Sequence, residues 1–143
     1  MRFPSEWALR RAIAFFAALG VGVATYIAVE AAGGDAPQCL AGSTGCATVA
    51  KSSYSHVAGV NIAVFGIVGY VLLLASAFFA NDLARFGGFV VALGGFGYSV
   101  FLTYLELFVI DAICQWCVVS ALLMAAIFAV NAARMVRYVG APP

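Results

Sequence analysis

At 143 residues the chain has the length of one domain, yet 65% of it is hydrophobic and only 9% is charged, against about 25% in an ordinary soluble domain. A water-soluble fold of this size cannot hide so much apolar surface, so the solvent is lipid. A net charge of +1, with no basic run and no interleaving of aromatic and basic residues, excludes a nucleic-acid-binding face.

The first apolar stretch, Ala12 to Ala32, follows Arg2, Arg10 and Arg11. A basic start, an apolar run and a small-residue end also describe a secretory signal. This run exceeds the usual apolar core of about 7–15 residues, and it is read as a helix able to cross about 30 Å of hydrocarbon. Ala32-Gly33-Gly34-Asp35-Ala36-Pro37 breaks that helix and opens a loop, Gly33–His56, in which Lys51 is the lone Lys or Arg. Cys39 and Cys46 lie in this loop, separated by the flexible Gly42-Ser43-Thr44-Gly45. A disulfide closing so small a ring restricts the unfolded chain by only roughly 2.5 kcal/mol. That is modest for a staple and suits a bond that is opened and remade, although a plain loop clip has the same spacing. Val49 to Tyr54 has the pattern of a short half-helix at the membrane surface. Lys51, Ser52 and Ser53 would face water and Val49 and Tyr54 the bundle, whose mouth the segment would cap.

Three further apolar stretches follow, Val57–Ala80, Phe86–Ile110 and Ala112–Ala133. They are continuous rather than alternating, which excludes β-barrel strands. The expected fold is therefore all-α: one integral membrane domain over residues 1–143, a four-transmembrane-helix bundle with an extracytoplasmic loop. Arg85 sits in the turn Asn81–Arg85, and Arg134 and Arg137 follow the last stretch. The positive-inside rule then puts both termini and this turn in the cytoplasm. The long loop and the third-to-fourth turn face outward, and all four cysteines lie on that side, where disulfides form and persist. An inner or plasma membrane of bacterial type is expected. Gly20, Gly22, Gly66, Gly69, Gly94, Gly95 and Gly97 read as points of close helix approach.

Cys114-Gln115-Trp116-Cys117 stands where the third stretch gives way to the fourth. Two cysteines at this spacing switch between dithiol and disulfide with little backbone movement, and a helix N-terminus favours the thiolate. The plainer reading is two small apolar residues packed in a helix. Structural zinc fits poorly, because the gap after Cys39 is too long and the only histidine, His56, lies far from either pair; no metal is expected. Haem attachment needs a histidine where Val118 stands. Among the acidic residues near the membrane, Glu30 and Asp111 fall at outer helix ends. Glu106 lies deeper, about two turns before Cys114, and is a candidate proton relay or a cross-helix hydrogen-bond partner. His56 is expected in water.

A loop cysteine pair, Ser52-Ser53-Tyr54, and Gly59-Val60-Asn61-Ile62-Ala63-Val64-Phe65-Gly66 opening a helix together resemble the vitamin K epoxide reductase family. So does Tyr104-Leu105-Glu106-Leu107-Phe108-Val109-Ile110-Asp111 before the Cys-x-x-Cys. The likeness covers roughly Cys39 to Ser120. It implies a four-helix core that passes electrons from thiols to a quinone such as ubiquinone, menaquinone or phylloquinone. It implies that Cys39 receives a mixed disulfide from a thiol partner, that Cys46 is its mate and shuttles to Cys114, and that Cys117 is the thiolate meeting the quinone. Ser52 matches a loop serine that supports the segment over the site. Asn61, Phe65, Trp116 and Ala121 are the implied quinone-lining positions, Asn61 with an offset of one residue. Ala121 stands where animal members carry a tyrosine, which sets epoxide reduction aside as the second activity. Many bacterial members carry a thioredoxin-like domain on the same chain; here a separate thioredoxin-fold partner is expected. Rival expectations are a vitamin K epoxide or quinone reductase proper, a DsbB-type quinone reductase, disfavoured by the order of the cysteine pairs, and a structural membrane subunit with inert cysteines.

Overall fold

The computed structural model describes residues 4–34, 47–48, 51, 53 and 56–140. Cys39, Cys46 and Ser52, with Val49 and Tyr54 of the expected half-helix, lie outside the described residues. Four long helices carry the described chain: α1 (Glu6–Ala32), α2 (Ile62–Phe78), α3 (Asp82–Phe108) and α4 (Gln115–Val139). α1, α3 and α4 are long and apolar enough to cross a membrane, and α2 is a shorter apolar helix.

The helices begin where the chain supplies a cap. Ser5 Oγ accepts the Ala8 N–H at 3.2 Å, so α1 starts at Glu6, ahead of its apolar run. Asn61 Oδ1 accepts the Ala63 N–H and Asn81 Oδ1 the Ala84 N–H, each at 2.8 Å. α2 therefore starts at Ile62 rather than Val57, and α3 at Asp82 rather than Phe86. The expected all-α chain is corrected just before α2. His56–Val57 (β1) and Val60–Asn61 (β2) pair antiparallel, His56 opposite Asn61 and Val57 opposite Val60. Ala58 and Gly59 turn the hairpin with φ of 54° and 83°, the two positive values that a tight hairpin turn requires. Hydrophobicity alone does not reveal this hairpin, because Val57 and Val60 belong equally well to the apolar run.

The bundle is antiparallel and closed in a ring. α1 packs on α2 and α4, α3 packs on α4, and α3 meets α2 over a smaller area. The buried stripe of α1, Leu9, Ile13, Ala17, Gly20 and Ala24, recurs every three or four residues as one helix face requires. Ala17 and Ala24 join Tyr70, Leu73, Ala92, Met124 and Ile127 in the core. Large apolar side chains point the other way: Phe15, Leu72, Val100 and Leu122 are all more than 45% exposed, as lipid-facing positions should be.

One end of the bundle is tied by arginines. At 17 residues, α2 spans about 25 Å, so its last carbonyls stop short and need donors. Arg10 donates to Ala77 O at 2.6 Å and Phe78 O at 2.7 Å. Arg134, only 1% exposed, donates to Ser76 O at 3.3 Å and Phe79 O at 2.8 Å, and its Nε meets Glu6 Oε1 at 2.7 Å. Arg85 approaches the same Glu6 oxygen at 3.4 Å. Cys114 and Cys117 lie at the opposite end.

Candidate functional site

The connection from α3 to α4 is built around Glu106. The Val109 and Ile110 N–H groups return to Leu105 O at 3.0 and 2.7 Å, and the Ala112 N–H to Glu106 O at 3.1 Å. Asp111 takes a left-handed φ of 55°, which aspartate tolerates better than most residues. The chain then rises to Cys114, the N-cap of α4. Its N–H, which would be left orphaned there, goes to Glu106 Oε2 at 3.2 Å. Glu106 thus holds the turn between α3 and α4 through both its backbone and its side chain.

Cys114 is buried and Cys117 half-buried. Ile110, Ala112 and Trp116 pack round Cys114, and Trp116 lies on the ring of Tyr26 at 5.0 Å between centroids. The neighbouring Cys117 thiol holds the Cys114 thiol below the usual cysteine range. Burial and the nearby Glu106 charge oppose that lowering, while the backbone N–H groups of Cys117 and Trp116 support it. Cys114 is the sulfur best prepared to carry negative charge, and Cys117 the one that faces the interior.

That interior is a cavity of about 360 Å³ lined by all four helices, with most of its wall from α2 and α3. It lies within the size range of small-molecule sites. Phe65, Gly69, Gly94 and Tyr98 form part of the wall between α2 and α3, and Cys117, Glu106, Tyr70 and Ser120 supply polar atoms. Gly69 and Gly94 have nothing within 4 Å of where a Cβ would stand. They line the cavity rather than bring two helices into contact. Gly20 and Gly95 do serve close approach, against Tyr70 and Met124.

The residues singled out from the sequence divide in two. Cys117, Phe65, Ala121 and Glu106 converge on the cavity. Asn61 is spent on the α2 cap, and Trp116 packs beside Cys114 and Tyr26; neither is part of the cavity wall. Cys39, Cys46 and Ser52 fall outside the described residues. Sequence reasoning missed the pair Tyr70–Ser120. The Tyr70 hydroxyl, 1% exposed as a residue, lies 2.7 Å from Ser120 O and 2.8 Å from Ser120 Oγ. The only sequence signal was a hydroxyl one turn beyond Cys117, and that is weak.

The model of the vitamin K epoxide reductase family matches residues 11–132, a span that includes the cavity lining and both Cys114 and Cys117. No curated protein matches the chain.

Proposed function

The chain belongs to the vitamin K epoxide reductase family, a family of membrane-embedded oxidoreductases, and from that premise we propose that it passes electrons from a separate thioredoxin-fold protein to a membrane quinone. The partner's dithiol reduces Cys39/Cys46, Cys46 exchanges with Cys114, and the Cys114/Cys117 dithiol reduces the quinone. In the last step the pair loses two electrons to become a disulfide, and the quinone gains them with two protons to become a quinol. The observation that carries this reading is Cys117: one member of the Cys-x-x-Cys pair forms part of the wall of an apolar cavity inside a lipid-soluble bundle. A thioredoxin-like partner works in water and a quinone in the bilayer, and only a pair at such a boundary serves both.

All four helices span the membrane in this reading, with α2 completed by the arginines at its C-terminal end. Those arginines mark the cytoplasmic side, so the redox turn faces outward, where disulfides persist. Phe65 and Ala121 line the quinone ring's site. Ser52 supports the loop above it. Ala121 offers no hydroxyl, which favours quinone over epoxide as the electron acceptor.

The test is quinone consumption, followed by absorbance, with purified protein and a reduced thioredoxin-fold protein. Cys117→Ala abolishes it with any reductant. Cys39→Ala abolishes it with the protein dithiol and spares much of it with a small dithiol. Equal loss with both reductants in Cys39→Ala overturns the order of transfer.

A further inference from the structure

Glu106 is the only acidic side chain buried among the described residues, at 5% exposure, and it lies within a helix long and apolar enough to span a membrane. A carboxylate in that setting is costly and calls for a reason. Holding the redox turn explains the bond to the Cys114 N–H, but an amide would accept that bond as well. It does not explain two further facts. The carboxyl forms part of the cavity wall, and Cys117, one helical turn on from Cys114, forms part of the same wall. It therefore bridges the sulfur that must lose a proton and the space where the acceptor must gain one.

We propose, on the strength of the thiol-to-quinone reading above, that Glu106 carries the proton of the dithiol oxidation. Its carboxylate takes the Cys117 proton as the Cys114–Cys117 bond forms and delivers it to an oxygen of the quinone. With Cys114 entering the step as thiolate, the sulfurs release two electrons and one proton. The quinone takes both electrons, that proton through Glu106, and a second proton from water on the redox-turn side, leaving a disulfide and a quinol. Other titratable groups about the site are Cys114 in the turn, Cys117 on α4, Tyr70 on α2, Tyr98 on α3 itself and Tyr26 on α1, behind Trp116. Arg10, Arg85 and Arg134 are engaged at the far end of the bundle. Among the described residues Glu106 is the only carboxylate in the cavity wall.

The experiment is single-turnover reduction of a short-tailed ubiquinone by the pre-reduced full chain, across a pH series, with re-reduction by dithiothreitol measured separately. Glu106→Gln keeps the acceptor for the Cys114 N–H and removes the proton carrier. It slows quinone reduction about 100-fold at neutral pH while dithiothreitol exchange stays within about twofold. Its rate then climbs with pH as hydroxide takes over, whereas the unsubstituted protein stays flat. Glu106→Asp, an acid on a shorter stem, recovers part of the rate. Should Glu106→Gln match the unsubstituted protein in rate and pH profile, or Glu106→Asp fall no nearer to it than Glu106→Gln, the carboxyl is a turn clasp and the proposal fails. Unsubstituted protein that exchanges thiols yet leaves the quinone unreduced defeats the parent reading instead, before any variant is compared.

Discussion

A single methyl group at Gly20 tests how the cavity is framed. A Cβ there would fall within the ring of Tyr70, against its Cδ1, Cε1 and Cζ. Tyr70 is 1% exposed and bonded to Ser120, so the ring can yield only by swinging away and breaking that bond. Overpacking costs about 1–3 kcal/mol and the lost hydrogen bond about 1 kcal/mol. Better helix propensity returns about 1 kcal/mol, which leaves Gly20→Ala destabilised by about 1–3 kcal/mol. Gly22 is the control, with nothing within 4 Å of its would-be Cβ. Gly22→Ala gains the propensity alone, so the two variants should differ by about 2–4 kcal/mol in denaturant titrations of the detergent-solubilised protein. Tyr70→Phe, which removes only the hydroxyl, should cost about 1 kcal/mol. Gly20→Ala also alters the cavity wall, so its KM for quinone should rise while exchange with a small dithiol is unchanged. Should Gly20→Ala and Gly22→Ala be equally stable, to within about 0.5 kcal/mol, the packing of Tyr70 against α1 is not as described.

Three other outcomes follow from named contacts. Arg134→Met removes the donors to Ser76 O and Phe79 O and the nearer of the two arginines on Glu6, and should lower stability by about 3–5 kcal/mol in the same titration. Asn61→Ala should cost about 1 kcal/mol through the lost cap, and Asn61→Asp, which keeps a capping oxygen, should restore stability without altering quinone KM. Cys114 of the reduced protein should ionise below the ordinary cysteine range, so its thiolate ultraviolet absorbance appears as pH rises through lower values than for a free cysteine. Cys117→Ala removes the largest cause of that lowering and should move the transition upward.

The bundle was legible because lipid selects continuous apolar runs, and four of them stand out in a chain so poor in charge. Helix ends were less so. A window of apolar residues does not register Ser5, Asn61 or Asn81, yet these caps set where α1, α2 and α3 begin. The hairpin at His56–Asn61 was invisible for the same reason. Arg134 was legible as a marker of orientation but not as a buried partner of Glu6, because their pairing spans nearly the whole chain. At the site, the Cys-x-x-Cys and Glu106 stood out by residue type. Asn61 carried the right chemistry at a position spent on a backbone cap. Tyr70 and Ser120 meet only through the packing of α2 on α4, which no local pattern encodes.

The proposed relay depends on a sulfur of the Gly33–His56 loop touching a sulfur of the Cys114–Cys117 turn. Peptide mapping by mass spectrometry of the Cys39→Ala/Cys117→Ala double variant, oxidised in membranes, tests this most directly. With one cysteine left in each pair, transfer between pairs predicts an intramolecular Cys46–Cys114 disulfide as the main product. Recovery of Cys46 and Cys114 as separate free thiols, or joined only between molecules, would contradict it.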